Sequence, residues 1–181
     1  MQVLSRDFFR QDVLTVAPAL LGKLLVRKFG DDREERFRIT EVEAYRGEED
    51  KACHACKGRT KRTEVLYHEG GKVYVYLIYG MYWMLNFVTG NEDEPQAVLI
   101  REVEKISGPG RVGKHLQLSS DFYGEILPSG RIWIEDDGQK PKAYSTTSRI
   151  GIDYAKEWKD KQWRFVCETN YCLNQEEPKT R

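Results

Sequence analysis

The residues Lys72–Thr89, KVYVYLIYGMYWMLNFVT, constrain this chain more than any others. β-Branched and aromatic side chains run on both sides of a single glycine, a composition suited to pleated strands. Gly80 can take the positive φ that the first central position of a two-residue type II′ turn requires. The stretch therefore predicts a β-hairpin with Tyr79, Gly80, Met81 and Tyr82 at its tip. Alternation puts Tyr74, Tyr76 and Ile78 on one face, and Val73, Val75, Leu77 and Tyr79 on the other. The uncharged stretch Val73–Val88 is shorter than the roughly 20 apolar residues of a membrane span, so no transmembrane segment is expected.

The remaining pattern supplies more strands and a few short helices. Thr15 is placed to cap a helix that ends at Leu21, with Gly22 beyond it. Lys23–Phe29 reads as a strand, Gly30-Asp31-Asp32 as a turn, and Arg36–Tyr45 as a second strand. Gly47–Gly71 is polar loop with one or two helical turns. Further strands are expected at Gln96–Glu104, Arg131–Glu135, Arg149–Ile152 and Trp163–Cys167, and a helix at Gly110–Leu118. The expected fold is α+β: one compact domain over residues 1–181, mostly an antiparallel curved sheet with short helices and a protruding aromatic hairpin. Residues from about 174 onward read as a solvated tail.

Basic and acidic residues number 29 each, so the chain is formally neutral. That excludes a globally cationic coat for nucleic acid and leaves local patches as the only electrostatic route. With 40% hydrophobic and 32% charged residues the chain is neither disordered nor a membrane bundle. The opening MQVLSRDFFRQDVL lacks the apolar core of a secretory signal, so a cytoplasmic, intracellular protein without a signal peptide is expected.

Along Arg36–Tyr45, alternation assigns Phe37, Ile39, Glu41, Glu43 and Tyr45 to one strand face. Two carboxylates then stand where their neighbours ask for burial, which is how enzymes prepare general bases. The same pattern suits a structural pairing with Arg38 or Arg101. Seven aromatic residues (Tyr67, Tyr74, Tyr76, Tyr79, Tyr82, Trp83 and Phe87) crowd the next segment. Just upstream, Lys51, Lys57, Arg59, Lys61, Arg62 and Lys72 face only Glu64 and Glu69. Basic groups hold phosphates and aromatic faces stack on bases, so the combination favours nucleic acid over an ordinary sheet core. A tip bearing tyrosine and methionine can also wedge between base pairs.

Two other motifs carry less. Cys53-x-x-Cys56 has zinc-ligand spacing, but Cys167 and Cys172 make a looser second pair, and reduced cysteines account for all four; no metal is assigned. Gly108–Lys114 fits G-x-x-x-x-G-K of a phosphate loop, yet His115 stands where Ser or Thr must hold magnesium. A Pro- and Gly-punctuated helix start is the simpler reading.

Taken together, ITEVEAY (Ile39–Tyr45), GEEDKACHACKGRTKRTEVLY (Gly47–Tyr67) and VYVYLIYGMYWMLN (Val73–Asn86) closely resemble the alkyladenine (3-methyladenine) DNA glycosylase family. The similarity continues through Asp7–Phe29, Ala97–Glu104, Gly108–Arg111 and Ser148–Phe165. It implies an enzyme that flips damaged purines out of double-stranded DNA and hydrolyses the N-glycosidic bond. By the same resemblance Glu43 is the general base for water and Arg101 helps hold that water, with a backbone carbonyl from Arg149–Ile152. Tyr45, His54 and Tyr76 would sandwich the flipped base, and Asn86 would crowd the 2-amino group of guanine. Tyr79 and Met81 would fill the gap in the duplex, and Arg59, Lys61, Arg62 and Arg111 are candidate phosphate contacts. No metal or redox cofactor is implied, nor any membrane association. A monomer that leaves an abasic site without cutting the strand is expected. The rival readings are a non-catalytic nucleic-acid-binding domain and, behind it, a phosphate-loop nucleotidase. Glu41 has no implied chemistry and reads as structural.

Overall fold

A computed structural model describes residues 1–168; Cys172 and the expected solvated tail lie outside the described residues. In chain order the strands are β1 (Gln2–Val3), β2 (Leu24–Lys28), β3 (Glu34–Arg46), β4 (Val73–Ile78) and β5 (Tyr82–Thr89), then β6 (Gln96–Val103), β7 (Ile106–Ser107), β8 (Ile132–Asp136), β9 (Tyr144–Thr147) and β10 (Arg164–Cys167). Among the described residues three α-helices accompany them: α1 (Arg6–Phe9), α2 (Val13–Leu20) and α3 (Pro109–His115). The strands form a sheet in the order β1-β8-β2-β3-β6-β5-β4, with β10 joining β3 and β9 and with β7 joining β6. Each pairing is antiparallel. This is an α+β domain.

The long strand β3 organises the molecule. β2 pairs with it from Glu34 to Arg38, and β10 pairs with it from Glu41 to Glu43. Its pairing with β6 shifts register between Ile39 and Val42, a β-bulge. The bulge overturns the expectation that Phe37, Ile39, Glu41, Glu43 and Tyr45 share a face. Ile39 points into the main core, but beyond the bulge it is Val42 and Ala44 that do so. Glu41, Glu43 and Tyr45 are thereby turned to the opposite face, the re-aiming that bulges perform beside functional sites.

The main core packs α2 against this sheet. Val13, Val16, Ala17 and Leu20, spaced at helical intervals, are all 0% exposed. The helix is capped by Asp12, whose carboxylate accepts the Leu14 N–H at 2.9 Å, rather than by Thr15, which lies inside the helix. Gly22 follows with φ +81°, as expected of a residue just past a helix end. The segment Arg149–Ile152, expected as a strand, is not one; β9 lies just before it. The Ile150 N–H and the Arg149 side chain are spent on β3 and its neighbouring loop instead, as described below.

β4 and β5 pair from Val73↔Phe87 to Ile78↔Tyr82. Val73 and Val75 enter the main core, whereas Tyr74 and Tyr76 pack with Cys53, Ala55 and Leu66 in a second cluster. The connection departs from the expected type II′ turn. Tyr79 and Gly80 both have positive φ (51° and 68°), the signature of type I′, and the Met81 N–H donates to the Ile78 carbonyl at 3.1 Å.

α3 lies unusually close to β5. A Cβ on Gly113 would sit 1.8 Å from the Trp83 carbonyl oxygen, and one on Gly110 would meet the Tyr82 ring at 3.0 Å. The glycines of Gly108–Lys114 are thus packing residues. Gly113 and Lys114 fall in the last turn of a helix, not in a loop wrapped round a phosphate, which removes the basis of the phosphate-loop reading.

Candidate active site

Glu43 is fully buried on β3, and its carboxylate meets donors from two other parts of the chain. The Ile150 N–H donates to Oε1 at 2.8 Å and the Tyr45 hydroxyl to Oε2 at 2.7 Å. The Arg101 guanidinium, from β6, approaches Oε1 at 3.4 Å. A buried carboxylate without partners is costly, and charge-assisted donors of this kind offset that cost. The Arg149–Ile152 segment therefore engages Glu43 through an N–H. Burial, reinforced by the charge of Glu43, pushes the Tyr45 phenol well above its ordinary value of 10, which keeps it a donor.

Glu41 has a structural part in this arrangement. Its Oε1 accepts Arg101 Nε at 2.6 Å and Arg164 Nε at 2.7 Å. Burial raises the Glu41 carboxyl, but Arg164 and Arg101 outweigh it and hold the group below the ordinary 4.5. Arg101 is thus fixed between two carboxylates. Arg38, the other candidate partner, binds Asp137 and the Gly22 carbonyl instead.

Beside Glu43 lies a cavity of about 140 Å³, walled among others by Tyr45, His54, Tyr76, Asn86, Arg101 and Ile150. His54 opens a 3₁₀ turn (His54–Lys57), so its amide has no partner within that turn. Its Nδ1 lies 2.8 Å from the Tyr74 hydroxyl. Burial, aided by Arg62 and Lys57, lowers the imidazole from 6.5 to about 4, so the ring is neutral at neutral pH. The His54 and Tyr76 centroids are 4.5 Å apart at 72°. Rings in such edge-to-face contact leave no slot between them, and Tyr45 lines the same cavity. Asn86 is buried and donates to the Tyr74 carbonyl at 3.2 Å.

Tyr79 and Met81 are 86% and 65% exposed on the β4–β5 connection. Of the four expected phosphate contacts, Arg59 is engaged by Glu64 at 2.7 Å and Asp93 at 2.8 Å. Arg62 is exposed 5.6 Å from the Tyr76 centroid, and Lys61 and Arg111 are exposed as well. Cys53 lies in the second cluster, its thiol pushed up to about 12 by burial, while Cys167 lies in the main core, so the two do not share a site. Among the described residues no group of three or more His, Cys, Asp or Glu is placed to hold a metal. No helix there is long and apolar enough to cross a membrane.

Sequence reasoning missed three features. The first is the Ile150 N–H, hidden because Arg149–Ile152 alternates like a strand. The second is Tyr154, 66% exposed at the cavity. The third is a buried ion pair of Asp50 with Arg149, separated by 99 positions, for which no local pattern exists.

A family model described as methylpurine-DNA glycosylase matches residues 7–107 and 102–171. A relative from Legionella pneumophila (strain Lens) is 44% identical over 179 residues, covering 94% of this chain and 97% of its own. One from Methanocella arvoryzae is 41% identical over 199 residues, covering 98% of each. One from Psychrobacter cryohalolentis is 40% identical over 194 residues, covering 91% of each. All three carry the provisional name 3-methyladenine DNA glycosylase.

Proposed function

The chain belongs to the methylpurine-DNA glycosylase family, and from that premise we propose that it excises alkylated or deaminated purines from duplex DNA with a water activated by Glu43. The observation that carries this reading is a fully buried carboxylate held by Ile150, Tyr45 and Arg101, three residues that themselves line an aromatic cavity.

The damaged nucleotide leaves the stack and enters the cavity, a step that costs a few kcal/mol and least for a damaged or mispaired base. Tyr79 and Met81 occupy the space it vacates, an apolar wedge of the kind that kinks duplexes. The purine rests against Tyr76 and His54, with Tyr45 in the same cavity. His54 is neutral and adds no charge against a cationic alkylpurine, which the aromatic faces attract. Asn86 reads the purine edge. Glu43 takes a proton from water as it attacks C1′, and its charge stabilises the oxocarbenium-like transition state, as in glycoside hydrolysis. Arg101, steadied by Glu41, orients Glu43 and the water. Lys61, Arg62 and Arg111 are the exposed candidates for phosphate contact. No lysine imine forms, so the product is an abasic site in an uncut strand. The protein acts as a monomer, without a cofactor, in the compartment that holds DNA.

A non-catalytic binding module has no use for a sequestered carboxylate with three donors, which favours the enzyme. The experiment is a product assay on duplexes each carrying 3-methyladenine, 7-methylguanine, hypoxanthine or etheno-adenine. Release of free base from at least one, with the strand intact, is expected. Binding without release from any of them would favour the module.

A further inference from the structure

Asp50 and Arg149 form an ion pair in which both side chains are 0% exposed. The pairing is bidentate: Arg149 Nη1 to Asp50 Oδ2 at 2.6 Å, and Nη2 to Oδ1 at 2.8 Å. Nη1 also donates to the Ala44 carbonyl at 2.9 Å, and Nη2 to the Trp158 carbonyl at 3.2 Å. The guanidinium carbon lies 4.8 Å from the Tyr45 ring centroid and 5.1 Å from that of Trp163. Asp50 in turn accepts the backbone N–H groups of Ala52 at 3.0 Å and Arg46 at 3.2 Å.

We infer that Asp50 and Arg149 are positioning residues for base excision, fixing the donors around Glu43 and the loop that carries His54; this rests on the glycosylase reading above. Arg149 is covalently next to Ile150, whose N–H binds Glu43. Ala44, whose carbonyl Arg149 holds, lies between Glu43 and Tyr45, the other donor. Asp50 anchors the start of the loop that leads through Ala52 to His54. The pair thus ties three segments to one rigid fork, and Arg149 is the residue whose planar donors suit that task.

Stability alone does not account for it. A buried ion pair is often no better than well-packed apolar residues of the same size, so its presence points to geometry. Being neutral overall, the pair also places a guanidinium against Tyr45 without adding net charge beside a cationic purine. Catalytic groups displaced by about 1 Å lose on the order of 100-fold in rate, which is the effect expected here.

The test compares wild type with the double variant Asp50→Asn/Arg149→Gln, using single-turnover base release and lesion-duplex affinity on protein shown to unfold cooperatively. Release is expected to fall about 100-fold with affinity changed by less than about threefold. Arg149→Lys, which keeps the charge but loses the planar fork, is expected to stay within about threefold of Arg149→Gln. Release within about threefold of wild type in the folded double variant, or affinity falling in step with release, would overturn the inference. If the double variant does not fold, Asp50→Glu, which keeps both charges but displaces the fork, carries the test. It should lose about tenfold in release at unchanged affinity, and an unaltered rate would be decisive against the pair. Absence of release in wild type would instead remove the glycosylase reading itself, so the two failures are distinguishable.

Discussion

The backbone N–H of Ile150 donates to Oε1 of Glu43 at 2.8 Å across 107 positions of sequence. The candidate base is thus oriented by a main-chain group that no side-chain replacement at 150 deletes, short of proline. Tyr45 fills the second oxygen, and the bulge in β3 aims the carboxylate away from the core. Position, more than residue type, makes Glu43 rather than Glu41 the candidate base.

Tyr79 adopts φ +51°, a left-handed conformation that costs a non-glycine residue roughly 1–2 kcal/mol, and it is almost fully exposed. Strain retained at an exposed aromatic suits a part selected for contact with DNA. Tyr79→Gly should leave the melting temperature unchanged or raised and weaken lesion-duplex binding at least about tenfold in a fluorescence titration. Unaltered affinity would remove the wedge role.

Gly113→Ala forces a Cβ to within 1.8 Å of the Trp83 carbonyl oxygen and must push α3 off β5. Overpacking of this kind costs about 1–3 kcal/mol, and each kcal/mol lowers Tm by about 2–4 °C at this size. Calorimetry should therefore show a clear drop. Lys114→Ala, on an exposed side chain, should leave both Tm and base release as they are. Magnesium-dependent nucleotide hydrolysis that vanished with Lys114 would revive the phosphate-loop reading.

His54 makes the fold acid-sensitive in a defined window. Its folded value of about 4 lies below its ordinary 6.5 because of burial and then the Arg62 and Lys57 charges. As pH falls below 6.5, the unfolded chain takes up a proton that the folded protein refuses, so stability declines until about pH 4. Glu41 works the same way lower down: its lowered carboxyl stabilises the fold above the ordinary 4.5, and that contribution fades as pH drops through the folded value. The urea midpoint of wild type should fall between pH 7 and pH 5, and His54→Gln should flatten that fall. An identical slope in both proteins would contradict the assigned shift.

Much of the fold was legible because alternation is a local signal. β2, β4, β5, β6, β8 and β10 lie within a residue or two of where β-branched and aromatic patterning puts them. Alternation alone also split Val73 and Val75 from Tyr74 and Tyr76. It failed where something non-local intervened. The bulge at Ile39–Val42 inverted the face of Glu43, so the face that alternation assigned to it does not hold. Asp12 outcompeted Thr15 as a cap because its carboxylate reaches the Leu14 amide. Arg149–Ile152 looks like a strand, but its hydrogen-bonding groups are claimed by Asp50, Ala44 and Glu43. The ring contacts of His54 with Tyr74 and Tyr76 depend on how the Gly47–Gly71 loop folds over β4, which loop composition does not encode.

Glu43 is proposed to activate water for base release, and Glu43→Gln separates that role from binding, because the amide oxygen can still accept the Ile150 N–H and the amide NH2 can donate to the Tyr45 hydroxyl oxygen, while the charge is gone. Lesion-duplex affinity and single-turnover release should be measured on the same protein. Affinity within about threefold of wild type and release slower by about 10²–10⁴-fold are expected. Release within about tenfold of wild type would show that another group activates the water.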